Sequence, residues 1–315
     1  MTKTLVTGAT GFLGSAVVAA LRDAGKDVVG TGRNLQKCAD RGFTAVNLST
    51  PIESWPDLGE INQIVHCAAL SAPFGRYADF MNANVVATQN LVTFAKRQNV
   101  SRFVHVSTSS VYFAPKDQLN VTEDSPLPRP VNAYAKTKHQ SEDIVLGAGN
   151  LSPIVLRPRG IYGKGDTALL PRLLRVAARR PLPIFRDGTA EIDLTHADDV
   201  VDSVLAALNA PKVTGIFNIS GGEPLLIQNI VNAAAGKAGV SVAWRKQPLK
   251  LAMSFAAALE NLARIDPFRR EPIITRYALG LFAYKQGLSI QKARDQLNWS
   301  PKVNFAEGLA RTFSL

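Results

Sequence analysis

Cysteine is scarce in this chain: Cys38 and Cys67 are the only two in 315 residues. Two thiols without Cys-x-x-Cys spacing make neither a disulfide framework nor a thiolate metal site, so a reducing cytoplasm is the expected compartment. Histidine is equally sparse. His66, His105, His139 and His196 lack the spacing of metal ligands, and no metal is expected. No apolar run approaches the roughly 18 residues of a membrane span. The first residues run straight into an apolar strand and a glycine turn, without a charged segment leading into an apolar one, so no signal peptide is expected. Carboxylates are in deficit: 25 Asp and Glu face 36 Lys and Arg, a formal charge of +11. Such a surplus can attract nucleotides, acidic substrates or an anionic membrane face. No helix-turn-helix, zinc-finger or RNA-binding signature accompanies it, so no nucleic-acid partner is expected. Repeats and low-complexity tracts are missing too, and 46% hydrophobic with 19% charged residues suits an ordinary globular core.

What is present alternates. Apolar runs at 4–8, 27–32, 44–48, 63–68, 102–108 and 153–158 read as strands, and amphipathic stretches near 13–24, 79–98 and 131–147 read as helices between them. Right-handed crossovers then predict an α/β fold, a Rossmann-like doubly wound parallel sheet whose ligands sit beyond the carboxyl ends of its strands. After residue 158 the alternation fails. Helices near 168–180 and 197–209 and a last strand at 215–220 lead into a tail with helical patterning, which predicts a smaller, mostly helical C-terminal substrate lobe. The expected division gives 1–158 to the sheet domain, with 186–220 returning to it, and 159–185 and 221–315 to the lobe. Residues 247–264 form an amphipathic stretch with basic flanks, suited to a packed lid helix or to peripheral contact with a membrane surface.

Gly8, Gly11 and Gly14 follow the first strand and open the first helix, with Thr10, Phe12 and Leu13 among them. Glycines at this spacing let the backbone turn tightly and approach a pyrophosphate, which the free N–H groups of the helix N-terminus then hold. Strand before and helix after make this a dinucleotide-binding turn. At the end of the second strand, where a carboxylate would bind the ribose of NAD, stand Gly32, Arg33 and Asn34. A guanidinium in that place favours the 2′-phosphate of NADP(H), with NAD(H) the alternative if Arg33 stacks on adenine instead.

The fifth strand ends in Val106-Ser107-Thr108-Ser109-Ser110, and Tyr134 and Lys138 follow downstream, four residues apart on one helical face. A phenol with a pKa of about 10 becomes a usable acid or base when an ammonium lies nearby. Tyr134 is therefore the candidate proton carrier, Lys138 its electrostatic partner and ribose anchor, and Thr108 the hydroxyl that orients a carbonyl.

Together with His66-Cys67-Ala68-Ala69, Asn84 with Thr88 and Asn90, Arg157-Pro158 and the stretch Asp193 to Val200, these residues resemble the extended short-chain dehydrogenase/reductases over nearly the whole chain. The resemblance implies Thr108, Tyr134 and Lys138 as catalytic residues. It implies cofactor contacts at Gly8, Thr10, Gly11, Phe12, Leu13, Gly14, Arg33, Ala68, Ala69, Tyr134, Lys138 and Pro158, and near the adenine at Asn47 and Leu48, where the family more often has an Asp before an aliphatic residue. Sugar-nucleotide dehydratases of the family carry Asp-Glu where Ser109 and Ser110 stand here, so dehydration is not expected. The stretches Arg157 to Gly163, Arg270 to Arg276, Leu288 to Arg294 and Leu297 to Pro301 are similar to the branch of 3β-hydroxysteroid dehydrogenases, sterol-4-carboxylate 3-dehydrogenases and 2-alkyl-3-ketoalkanoate reductases.

The expected function is NADP(H)-dependent interconversion of a secondary alcohol and a ketone on a hydrophobic small molecule, with residues 249–285 supplying apolar side chains for a pocket or for ordinary core. One alternative is a nucleotide-sugar epimerase that retains NAD, its diphosphate met by Arg157, Arg159, Lys164, Arg172, Arg175 or Arg186. Another is a non-catalytic NADP(H) sensor, which has no need of Tyr134 and Lys138. The helices near 79–98 and 131–147 offer the face of a homodimer.

Overall fold

The computed structural model describes residues 2–266 and 271–314; Arg270, in one of the branch-like stretches, lies outside them. Seven parallel strands form the main sheet: β1 (Lys3–Thr7), β2 (Asp27–Gly32), β3 (Thr44–Ala45), β4 (Gln63–His66), β5 (Arg102–Val106), β6 (Pro153–Pro158) and β7 (Gly215–Ile219). Their order is β7-β6-β5-β4-β1-β2-β3, which reverses direction beside β1 and opens the crevice of a doubly wound fold there.

Period-two alternation between two covered faces explains why successive positions in the middle of these strands are apolar. Val6, Val65, Val104, Ile154, Leu156 and Phe217 face one side, where α1 (Phe12–Asp23) and, late in the chain, α4 (Ala197–Leu208) cover them. Their neighbours Leu5, Ile64, Phe103 and Val155 face the other, where α2 (Ala87–Arg97) and α3 (Ala133–Leu146) supply Leu91, Val92 and Val145. Each central strand is thus buried on both faces.

Three local departures from the expected elements have visible causes. The third strand shrinks to Thr44–Ala45, because Asn47 turns its side chain onto the Ser49 amide at 3.2 Å and the Leu48 carbonyl accepts from Asn90 Nδ2 at 2.9 Å, leaving no ladder to extend. The fifth stops at Val106, and Thr108 caps a short 3-10 turn at Ser109–Tyr112. The helix expected near 79–98 runs from Tyr77 to Arg97 but is π-helical over Met81–Val86.

The lobe has its own core, with Leu170, Leu174, Phe185, Ile230, Leu279 and Phe282 among its buried members. Many of the apolar residues at 249–285 go into this core rather than into a pocket. The lobe also holds a four-stranded sheet in the order Leu225–Leu226, Glu191–Ile192, Gln286–Leu288, Gln118–Val121, whose two- to four-residue strands carry too little alternation to be read from sequence. The amphipathic stretch becomes α5 (Leu249–Ile265), followed by α6 (Arg276–Leu281). Among the described residues, no helix is long and apolar enough to cross a membrane.

Near the C-terminus, Ile290, Ala293, Leu297 and Trp299 leave the lobe and pack into the core beneath β7 and α4. Trp299 is buried and donates its indole N–H to the Asp199 carbonyl at 3.1 Å. Trp299→Ala is expected to cost roughly 3–5 kcal/mol, read as a lower midpoint in urea unfolding; a cost under about 1 kcal/mol would mean that this segment does not brace the sheet domain.

Candidate active site

The glycine turn lies where β1 meets α1. Gly8 has φ +69°, and a Cβ there would stand 2.8 Å from the Ala68 nitrogen; one on Gly14 would stand 2.2 Å from the Gly8 carbonyl oxygen. Only hydrogen fits at either position, so the close approach that a pyrophosphate needs is built in. Gly11 caps α1 without any side chain bonding the first amides, and no carboxylate sits in the first turn, so the N-terminus keeps its donors and positive dipole end for an anion. These residues fit a dinucleotide. Thr10 packs against Gly32 at the end of β2, and Ala68 follows β4 directly with its amide donating to Thr7 Oγ1 at 3.3 Å. Phe12 lies against Gly163, and Pro158 closes β6. Arg33 is exposed at the carboxyl end of β2 and engages no partner among the described residues. Asn34 spends its side chain capping the next short helix at Lys37. Asn47 is exposed and self-bonded while Leu48 is buried.

Across the crevice, α3 starts at Asn132, whose side chain accepts from the Ala135 amide at 2.8 Å, and carries Tyr134 and Lys138 on one face. The Tyr134 phenol lies close enough to the Ser71 and Thr108 hydroxyls for both to pull its pKa down. Thr108 Oγ1 in turn donates to Ser110 Oγ at 3.1 Å, and Ser110 Oγ pairs with the Tyr277 hydroxyl at 3.0 Å. Thr108, Ser110 and Tyr277 therefore form a connected chain of hydroxyls, with those of Tyr134 and Ser71 beside it.

The Lys138 ammonium donates to the Val106 carbonyl at 2.8 Å and meets His105 Nε2 at 3.1 Å. Burial pulls its pKa down to about 8, opposed by the Glu142 charge. The Tyr134 phenol is raised above its ordinary value by burial, with the Ser71 and Thr108 hydroxyls only partly offsetting this. In this arrangement Tyr134 holds its proton at neutral pH and is set up as an acid.

Buried polar groups hold this geometry. Glu142, one turn beyond Lys138, takes Arg157 in a bidentate pair, Nε to Oε1 at 3.0 Å and Nη2 to Oε2 at 2.6 Å, with both side chains almost fully buried. Ser107 also donates to Glu142, and Arg157 reaches on to the Tyr112 hydroxyl, which donates to Asn218 at 3.0 Å. Burial would raise the Glu142 carboxyl, but the nearby His139 ring at 3.7 Å and the hydrogen bonds from Arg157 and Ser107 hold it below its usual range. Under the other end of α3, Asn84 bonds both polar groups of Leu70 and donates to Thr137 at 3.0 Å. The π-helical stretch thereby ties the loop bearing Ser71 to the catalytic helix. His66 and His105, paired in register on β4 and β5, stack at 5.1 Å. Thr88 spends its proton on the Asn84 carbonyl, so His66 Nε2 donates to Thr88 and Nδ1 accepts from Thr7. Burial and the Lys138 charge push the His66 pKa down to about 3, keeping the ring neutral.

The structure places Thr108 beside Tyr134. It adds Ser71, Tyr277, His105 and Glu142, which sequence reasoning did not assign. Only the Ser/Thr-rich strand end gave a local signal; Tyr277 reaches Ser110 from 167 residues away. Of the arginines considered for a diphosphate, Arg157 is spent on Glu142, Arg186 is paired bidentately with Asp117, Arg172 with Glu271, and Arg159 bonds Gln286.

A Rossmann sheet whose fifth-strand hydroxyls meet a tyrosine one helical turn before a buried lysine defines an enzyme of the extended short-chain dehydrogenase/reductase class. Residues 4–220 match the NAD dependent epimerase/dehydratase family, and the chain belongs to it. It is 29% identical to the 2-alkyl-3-oxoalkanoate reductase of Stenotrophomonas maltophilia, over 98% of each chain. It is also 29% identical to the decarboxylating sterol-4-alpha-carboxylate 3-dehydrogenase of Saccharomyces cerevisiae, over 98% of this chain and 96% of that one. Among solved structures, MoeE5 in complex with UDP-glucuronic acid and NAD superposes with a TM-score of 0.75 at 25% identity, covering 99% of this chain and 97% of that one.

Glu142→Ala leaves the Arg157 guanidinium buried without its carboxylate, and is expected to cost about 3–5 kcal/mol, measured by urea unfolding. Loss of under about 1 kcal/mol would show that the pair is solvated in solution.

Proposed function

We propose that the protein is an NADP(H)-dependent oxidoreductase that interconverts a ketone and a secondary alcohol on a hydrophobic small molecule, with Tyr134 as proton carrier. The observation that carries this reading is the half-buried Tyr134 phenol, which lies beside Thr108 and is raised above its ordinary value by desolvation, so that it keeps its proton at neutral pH. When bound, the nicotinamide supplies or accepts the hydride. The residues do the rest. Thr108 and Ser110 hold the substrate oxygen by hydrogen bonds, and Tyr134 gives its proton to that oxygen as negative charge develops there. Lys138, buried and charged below about pH 8, anchors the ribose side.

The named activities of the reductase and sterol dehydrogenase relatives support a hydrophobic substrate. Arg33, unpaired at the end of β2 with no carboxylate beside it, supports NADP(H). The nucleotide-sugar alternative draws on the solved relative that holds a UDP-sugar; Arg157, Arg172 and Arg186 are committed to carboxylates, which leaves Lys164 and Arg175 exposed for its diphosphate. A homodimer through α2 and α3, and placement in the cytoplasm, belong to the same reading.

Tyr134→Phe removes one proton-bearing oxygen and little shape, so turnover of a hydrophobic 3-keto substrate with NADPH is expected to fall roughly a hundredfold to ten-thousandfold while NADPH affinity holds. Turnover within about twofold of wild type would remove Tyr134 from this role. Arg33→Ala is expected to weaken NADPH about ten- to a hundredfold, as for the loss of charged hydrogen bonds, and NADH hardly at all. Equal losses for both nucleotides would contradict the 2′-phosphate assignment.

A further inference from the structure

Two stretches of the lobe carry no carboxylate at all. Between Asp166 and Asp187 there are five arginines, and between Glu223 and Glu260 there are four Lys and Arg residues. The fold brings these stretches together. Leu182–Ile184 runs parallel to Trp244–Lys246, and α5 buries Ala256 in the same core as Leu170 and Leu174. Arg172, Arg186 and Lys246 are paired with carboxylates from elsewhere in the chain, and Arg175, Arg179, Lys237, Arg245 and Lys250 are left exposed without one among the described residues.

The same region presents an uncovered apolar stripe. Leu251, Phe255 and Leu262 share one face of α5 and are 69%, 61% and 60% exposed, and Ile273 beside it is 76% exposed. Arg180 donates to the Ile273 carbonyl at 3.1 Å, which sets a guanidinium at the edge of the stripe. Lys250 is exposed at its start. The single carboxylate of α5, Glu260, is buried and bonded to Arg276 of α6, so it offers the outer face no negative charge.

We propose that this face docks on an anionic phospholipid membrane, with α5 lying in the interface and Leu251, Phe255 and Leu262 turned into the acyl boundary. A polyanion such as nucleic acid would use the cations and leave the apolar stripe in water. A phospholipid surface uses both. Docking this way places α6, which carries Tyr277 into the hydroxyl cluster, directly behind the membrane-facing helix. The docking stands on the surface alone and does not rest on the proposed activity.

The test is sedimentation of the full-length protein with vesicles of phosphatidylcholine, alone or mixed with phosphatidylglycerol. Wild type is expected to sediment with the mixed vesicles, to be released by salt, and to stay in solution with phosphatidylcholine alone. The double variant Leu251→Ser/Phe255→Ser, altered only at water-facing side chains, should bind the mixed vesicles at least about tenfold more weakly with an unchanged unfolding midpoint. Failure of wild type to bind the mixed vesicles, or equal binding by the variant, overturns the proposal. So does a wild-type dimer that the same substitutions convert to monomer in light scattering, which would assign the face to a second copy of the chain.

Discussion

The buried ion pair between Arg157 and Glu142 is the constraint on which the site depends. Taking two charges out of water costs several kcal/mol per ion, and good geometry with saturated hydrogen bonding offsets it. Here the offset comes from a bidentate contact, a serine hydroxyl and a tyrosine hydroxyl. The pair joins α3 to β6 just where β5 delivers Ser107 and Thr108. Slippage of α3 along the sheet would break the bonds that Glu142 makes to Arg157 and Ser107 together, so these bonds hold the register of α3 against the end of β5.

The second support is the polar seam of His66, Thr88, Asn84 and Thr137. It runs from the end of β4 through the π-helical stretch to α3, and each donor in it finds an acceptor. Asn84 could not bridge Leu70 and Thr137 from an evenly wound helix one turn out of phase, which gives the π stretch a physical reason. The two supports grip α3 at Thr137 and at Glu142. Between them Lys138 is enclosed, and its lowered pKa follows from that enclosure.

Sequence alone made the sheet legible because a strand buried on both faces is apolar at successive positions in its middle, and made the glycine turn legible because Gly8 and Gly14 admit no Cβ. Tyr134 and Lys138 were legible because their spacing is local to one helix. The orientation of the Lys138 ammonium was not, since it depends on the Val106 carbonyl and His105 across a packing interface. Nor was Tyr277, which arrives from a lobe helix whose sequence distance hides its contact with Ser110. The same blindness applies to α5: its amphipathic pattern reads alike for a helix packed on two sides and for one that leaves Leu251 and Phe255 in water, and only packing distinguishes them.

A titration of the purified protein with NADPH and with NADH, after its retained nucleotide has been identified, tests the central claim most directly. A dissociable-cofactor reductase built on Arg33 and Tyr134 predicts a protein that purifies empty and binds NADPH more tightly than NADH. Tightly retained NAD, with no added affinity for the 2′-phosphate, would contradict it and point to chemistry that oxidises and reduces the same carbon without releasing the nucleotide.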